Sequence, residues 1–233
     1  MHGSRMDSDV PPTPRFFVLQ EGDLQSRYDA DVETVEPVHL ADAPHCPRCG
    51  GVTGLLRWLP PHRVNLELHG EELGDLIKHS AYELLISERF AHSFQAEGLT
   101  GLEGFHPVEV LRVRHKRKIV RKSQTPPRSR VVSTCAGRAA VDPVLNRMRI
   151  SEPPTCSECR LTSVEAVHGI TLDPGTWVGE DLFRPRGLPG DILVSERFKH
   201  FVERHELTNI RLTPAEQYVW DPSQLGPGPL NLS

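Results

Sequence analysis

Apolar residues fall along this chain in short bursts, and the spacing within each burst predicts short strands and a few short helices. The run Arg15-Phe16-Phe17-Val18-Leu19, closed by Gly22-Asp23, reads as a first strand. Residues 24–44 are polar with an acidic bias (Asp29, Asp31, Glu33, Glu36) and read as irregular. Gly54 to Trp58 and Arg63 to Leu68 read as strands, the second because Val64, Leu66 and Leu68 alternate with polar neighbours. Glu71 to Lys78 carries a short helical pattern. After the apolar run Leu84-Leu85-Ile86 the period changes. Ser87 sits at an N-cap position, Glu88 falls in the first turn, Phe90 and Phe94 share one face, and Gly98 supplies the stop. Val108 to Arg114 predicts a strand, the Pro126-Pro127 segment a turn, and Arg130-Val131-Val132 a returning partner.

The helical segment occurs twice. Ser87-Glu88-Arg89-Phe90 is repeated as Ser195-Glu196-Arg197-Phe198; His92 matches His200, and Leu99-Thr100 matches Leu207-Thr208, all at an offset of 108 residues. After a one-residue slip, Pro107 and Glu109 match Pro214 and Glu216. A Cys-x-x-Cys pair lies upstream of each copy: Cys46 and Cys49, then Cys156 and Cys159. Self-similarity of this kind predicts an α+β protein of two related half-domains from an internal duplication. The expected limits are a flexible leader (1–14), a first half (15–137), a second half (138–222) and a loose tail (223–233). Ser, Glu and Arg are catalytic residue types, but at a repeated helix start they read as cap, dipole partner and surface charge, with Phe90 and Phe198 as core anchors. His92 and His200 lie off the apolar stripe and read as surface positions.

Composition narrows the class. With 233 residues, 37% of them hydrophobic, the chain is long enough for a core, and a net charge of −4 is ordinary. The 21 prolines favour turns and short elements over a helical bundle. No apolar run reaches a membrane span, and the opening MHGSRMDSDVPPTP lacks the apolar stretch of a signal peptide. These features predict a cytoplasmic protein in a reducing compartment. There, four of the five cysteines in Cys-x-x-Cys pairs favour metal over disulfides.

Two such pairs supply the four thiolates of a structural zinc site, with Cys46, Cys49, Cys156 and Cys159 as ligands. The 106 residues between the pairs exceed any single zinc ribbon, so a shared site requires the halves to bring one knuckle each to a common axis. The competing readings are buried unligated thiols and a redox pair, although no thioredoxin-like setting surrounds either motif. Cys135 reads as a core residue. The basic run from Arg112 to Arg130 evokes a zinc-ribbon nucleic-acid binder, or a positively charged hairpin that docks on an acidic protein. No aromatic residues interleave with it. Gly-rich phosphate loops, a nucleophile elbow and a His-Glu-x-x-His helix are absent from the sequence.

Cys46-Pro47-Arg48-Cys49-Gly50, the Ser87–Glu109 segment, the basic strand after it and Pro153-Pro154-Thr155-Cys156-Ser157-Glu158-Cys159 resemble, in that order, the double-CXXCG family of bacterial proteins. The likeness runs from about residue 15 to 222. Members are regarded as immunity proteins against contact-delivered toxins of social bacteria. The resemblance implies a non-enzymatic cytoplasmic antidote that binds a cognate protein toxin, with the four cysteines as metal ligands. It names no toxin-contacting residue. Arg160 stands where the motif has glycine, which predicts a different turn at the second knuckle.

Overall fold

A computed structural model describes residues 14–23, 26–80, 83–116, 128–142 and 145–228. The fold is a sheet-dominated α+β arrangement with two α-helices among the described residues. One sheet has the order β2 (Ala30–Thr34), β5 (His62–Leu68), β8 (Leu102–His115), β9 (Ser129–Thr134), β7 (Glu83–Ser87), β6 (Leu76–Lys78). A second has the order β10 (Ala136–Ala140), β13 (Leu182–Arg186), β14 (Leu193–Ser195), β1 (Phe16–Glu21), β15 (Ile210–Pro214). Smaller pieces are β3 (His39–Ala41) with β4 (Arg57–Leu59), and β11 (Met148–Ile150), β12 (Val164–His168) and β16 (Val219–Trp220). The β5–β8 and β10–β13 pairs are parallel; the other named pairs are antiparallel.

The helices α1 (Glu88–Ala96) and α2 (Glu196–Arg204) follow β7 and β14 directly. Both start as the capping logic predicts: the Ser87 hydroxyl accepts the Phe90 N–H at 3.2 Å, and the Ser195 hydroxyl accepts that of Phe198 at 3.2 Å. Their apolar faces meet in one core. Ring centroids of Phe90 and Phe198 lie 6.2 Å apart, Phe90 and Phe201 5.7 Å, and Phe94 and Phe201 6.0 Å. All four rings are buried, and removing one costs about 3–5 kcal/mol in a core of this kind.

The arginine and threonine of each segment reach across to the other. Asp75, just before β6, accepts the Ser87 hydroxyl at 2.6 Å, Arg89 Nε and Nη2, and the Thr208 N–H and hydroxyl at 2.7 and 2.8 Å. Asp181, just before β13, accepts the Ser195 hydroxyl at 2.9 Å, Arg197 at 2.9 Å, and the Thr100 N–H and hydroxyl at 3.0 and 3.4 Å. Arg89 also donates to the carbonyls of His205 and Glu206, past the C-terminus of α2. Arg197 does the same to Glu97 and Gly98 past α1, where carbonyls lack helical partners. Left-handed residues recur at the same offset: Gly98 and Glu206 (φ 62° and 48°), then Gly101 and Asn209 (φ 103° and 60°).

Several expectations change. β1 lies at the head of the chain yet pairs with β14 and β15, so it belongs to the sheet of the later segment. The polar stretch 24–44 contains β2 and β3, and the helical pattern at 71–78 gives way to β6. In that segment Asp75 is buried at 4% exposure, and Glu71 and Glu72 face Arg27. The described part of the tail is fastened, with the Leu225 and Gly226 N–H groups on Asp221 and Arg149 on the Leu225 carbonyl. The expected leader up to residue 13, residues 117–127 of the basic run with the expected Pro126-Pro127 turn, and the last five residues lie outside the described residues. No helix among the described residues is long and apolar enough to cross a membrane.

Candidate metal centre

The two Cys-x-x-Cys turns meet. The first protrudes between β3 and β4, the second between β11 and β12. Cys46 Sγ lies 3.9 Å from Cys156 Sγ and Cys49 Sγ 3.7 Å from Cys159 Sγ, so the first cysteines pair and the second cysteines pair. All four sulfurs lie within 4.8 Å of one another, and none is in a disulfide. A tetrahedral ion with metal–sulfur bonds of about 2.3 Å separates its sulfurs by about 3.8 Å. The four thiols therefore fit a single metal ion, and among the described residues no other cluster of three or more histidine, cysteine or acidic side chains does. Cys46 and Cys159 are buried, Cys156 is half-buried, and Cys49 reaches the surface.

Local backbone geometry makes each knuckle. The Gly50 N–H returns to the Cys46 carbonyl at 2.9 Å, and the Arg160 N–H to the Cys156 carbonyl at 2.9 Å. Both residues are left-handed, with φ of 72° at Gly50 and 53° at Arg160. The different turn expected at Arg160 is not found. A non-glycine residue is disfavoured there by roughly 1–2 kcal/mol, and side-chain bonds to the Val141 carbonyl (2.8 Å) and Asp173 (2.7 Å) offset this. Arg48 of the first knuckle donates to the Ser157 hydroxyl of the second at 2.6 Å. Arg186 of β13 holds Glu158 by its carbonyl and carboxylate at 3.1 and 2.8 Å. These two arginines have no spacing signal and escape a sequence reading.

The turns also prepare the sulfurs. Backbone N–H groups of Cys49 and Arg48 lower the Cys46 thiol, and those of Cys159 and Glu158 bring Cys156 down to about 6. Burial pushes Cys159 up to about 12, and the neighbouring sulfurs add to this. At Cys49 the Gly51 N–H favours the thiolate, but the Cys46 and Cys156 thiols and burial outweigh it, and the thiol is raised. Four sulfurs this close cannot all ionise without a compensating cation, which is the chemistry a thiolate metal site supplies.

The remaining candidates fall elsewhere. Ser87, Glu88 and Arg89 are occupied in structural contacts, Glu88 by an ion pair with Arg130 at 2.9 Å. Arg130 is thereby removed from the basic run, whereas Arg112, Arg114 and His115 of β8 and Lys116 just after it are exposed. His92 and His200 are exposed, as their position off the apolar stripe predicts. Cys135 is half-buried, with burial and then Glu103 pushing its thiol up to about 12. It stands apart from the metal cluster. The fold and site thus define a mixed sheet protein in which, among the described residues, one four-cysteine cluster built from distant parts of the chain fits a metal ion. No protein-family model matches the sequence, and no curated protein does.

Proposed function

We propose that this is a non-enzymatic immunity protein of the double-CXXCG kind, which binds and neutralises a cognate toxin domain in the cytoplasm. One observation carries the reading: the two Cys-x-x-Cys pairs that anchor the motif resemblance converge on one four-sulfur cluster. Zinc is the metal that four thiolates in a tetrahedron suit best, and its role here is structural, because four protein ligands leave no open position for substrate. The reciprocal clasps of Asp75 and Asp181, repeated at matching positions, support an origin by internal duplication. They also support a non-catalytic role for the Ser-Glu-Arg segments, whose side chains are spent on capping and cross-bracing.

An antidote of this kind acts by covering the toxin's working surface, with affinity from a desolvated anchor and on-rate from complementary charge. The test is co-expression of the full chain with a toxin from the adjoining reading frame, scored for rescue of growth and co-purification. Absence of both sinks the reading. The exposed basic residues Arg112 and Arg114 at the end of β8, with Lys116 after it, favour a second reading, a nucleic-acid binder. That reading requires binding to generic DNA or RNA that weakens steeply with salt, and a flat titration at low salt removes it.

A further inference from the structure

The four sulfurs are also placed for a chemistry other than metal binding. Two close contacts join one knuckle to the other: Cys46 Sγ to Cys156 Sγ at 3.9 Å, and Cys49 Sγ to Cys159 Sγ at 3.7 Å. Each pair is 110 residues apart in the chain, so the fold sets this pairing and the local motif does not. Sulfurs in a disulfide lie about 2.05 Å apart, so a shift of about 1.7–1.9 Å closes either contact.

The bonds that hold the knuckles at this contact need no metal. Arg48 of the first donates to the Ser157 hydroxyl of the second at 2.6 Å, and Arg186 of β13 holds the Glu158 carboxylate at 2.8 Å. A small zinc ribbon unfolds when its ion is lost. Here β3 and β4 flank the first knuckle, β11 and β12 the second, and the sulfurs stay opposite one another. Access differs among them. Cys49 is exposed, Cys156 is half-buried, and Cys46 and Cys159 are buried, so the Cys49–Cys159 pair presents its sulfur to solvent first.

We propose that the cluster is a peroxide-responsive site, at which a peroxide converts four thiols into two disulfides across the knuckles, Cys49–Cys159 and then Cys46–Cys156. The site rests on the four-cysteine cluster of the metal reading and is independent of any toxin. Written for the free thiols, peroxide takes two electrons from the Cys49 sulfur. An S–O bond forms, the O–O bond breaks, and water leaves with the thiol proton. The Cys159 sulfur then attacks Cys49: the S–S bond forms, the S–O bond breaks, and hydroxide leaves with the Cys159 proton as a second water. A second peroxide does the same for Cys46 and Cys156. The oxidised cluster lacks the thiolates that hold zinc, while two covalent bonds keep the knuckles joined.

The test uses the full-length, zinc-loaded protein and hydrogen peroxide. A chromogenic chelator reads zinc release, intact mass reads the loss of about 2 Da per disulfide, and peptide mapping of thiol-blocked protein reads the linkage. Zinc should leave as the Cys49–Cys159 link appears, ahead of Cys46–Cys156, and dithiothreitol with added zinc should restore the starting mass and metal content. Cys135, outside the cluster, should stay reduced. Links within a knuckle, sulfinic products in place of disulfides, oxidation of Cys135 at the same rate, or survival of all five thiols in excess peroxide each overturn the proposal. Protein purified without zinc contradicts the metal reading alone, and the same mapping on that protein still decides the linkage.

Discussion

Replacing Asp75 by asparagine tests the cross-bracing of the two helical segments most directly. The change preserves shape but removes the charge that Arg89 meets, and replaces one accepting oxygen by an NH2 donor that faces donors from Ser87, Arg89 and Thr208. Breaking one partner of a buried charged pair costs about 3–5 kcal/mol. Asp75 is 4% exposed, but the Arg89 side chain is 53% exposed and stays hydrated after the loss, which lowers the expected cost to about 2–4 kcal/mol. Urea denaturation followed by tryptophan fluorescence at pH 7 measures it. Burial alone would raise the Asp75 carboxyl, but the bonds from Arg89, Ser87 and Thr208 win and hold it below the ordinary value. A depressed folded pKa means that the stabilisation is complete above the unfolded value of about 3.9 and is lost as pH falls through the lower folded value. The penalty of Asp75→Asn should therefore shrink under acid. A double-mutant cycle with Thr208→Val, 133 residues away, should show a coupling of about 0.5–3 kcal/mol. A cost below about 1 kcal/mol at pH 7, or one that persists in acid, refutes the reasoning.

Three further outcomes follow from the geometry. Metal analysis of the purified protein should find one zinc per chain, and Cys46→Ser or Cys156→Ser should release it; two ions per chain, or none, contradicts the shared site. Ser87→Ala and Ser195→Ala should each cost about 1–2 kcal/mol in urea, at the upper end of a cap's range because each hydroxyl also donates to an aspartate. Gly50→Ala meets no atom within 4 Å and should cost only the left-handed penalty of roughly 1–2 kcal/mol. Gly101→Ala places its Cβ 1.8 Å from the Leu182 carbonyl oxygen and should be far more damaging, measured in the same assay.

What the sequence exposed and what it hid follow from the range of each signal. The helix starts were legible because a cap, a first-turn acid and an i, i+4 pair are local, and the four ligands because the motif is short. β2 was hidden because it is an edge strand whose outward residues, Asp31 and Glu33, are charged; pairing with β5 makes it a strand. The segment 71–78 carries Leu73, Leu76 and Ile77 at helical spacing, but Leu76 and Ile77 pair with Ile86 and Leu85 of β7, and that contact overrides the local period. The two clasping aspartates did leave a trace: Asp75-Leu76-Ile77 and Asp181-Leu182-Phe183 are alike. They precede their serines by 12 and 14 residues, so the match needs a two-residue gap and drops out of an ungapped comparison. The Arg160 turn was misread because a missing glycine is visible in a sequence, whereas the carbonyl of Val141 that compensates for it is not.

The long spacer between the cysteine pairs changes what a metal bound at the cluster would do for the fold. In a single ribbon an ion closes a short loop whose residues are already near one another in the unfolded chain. Here a bound ion would tie residues 46–49 to 156–159, and closing a loop of about 100 residues in the unfolded chain costs roughly 4–5 kcal/mol of entropy, so the fold must bring the knuckles together before one ion can hold all four sulfurs. The helical core does not depend on that tie for its contacts, since Phe90, Phe94, Phe198 and Phe201 meet through each other and the aspartate clasps brace them independently. A metal held there would therefore be a second, distant fastening between parts of the chain already joined at the helices. Arg186 of β13 fixes the second knuckle through Glu158, and Arg48 joins the first knuckle to the second through Ser157, so the sulfurs are braced by hydrogen bonds as well.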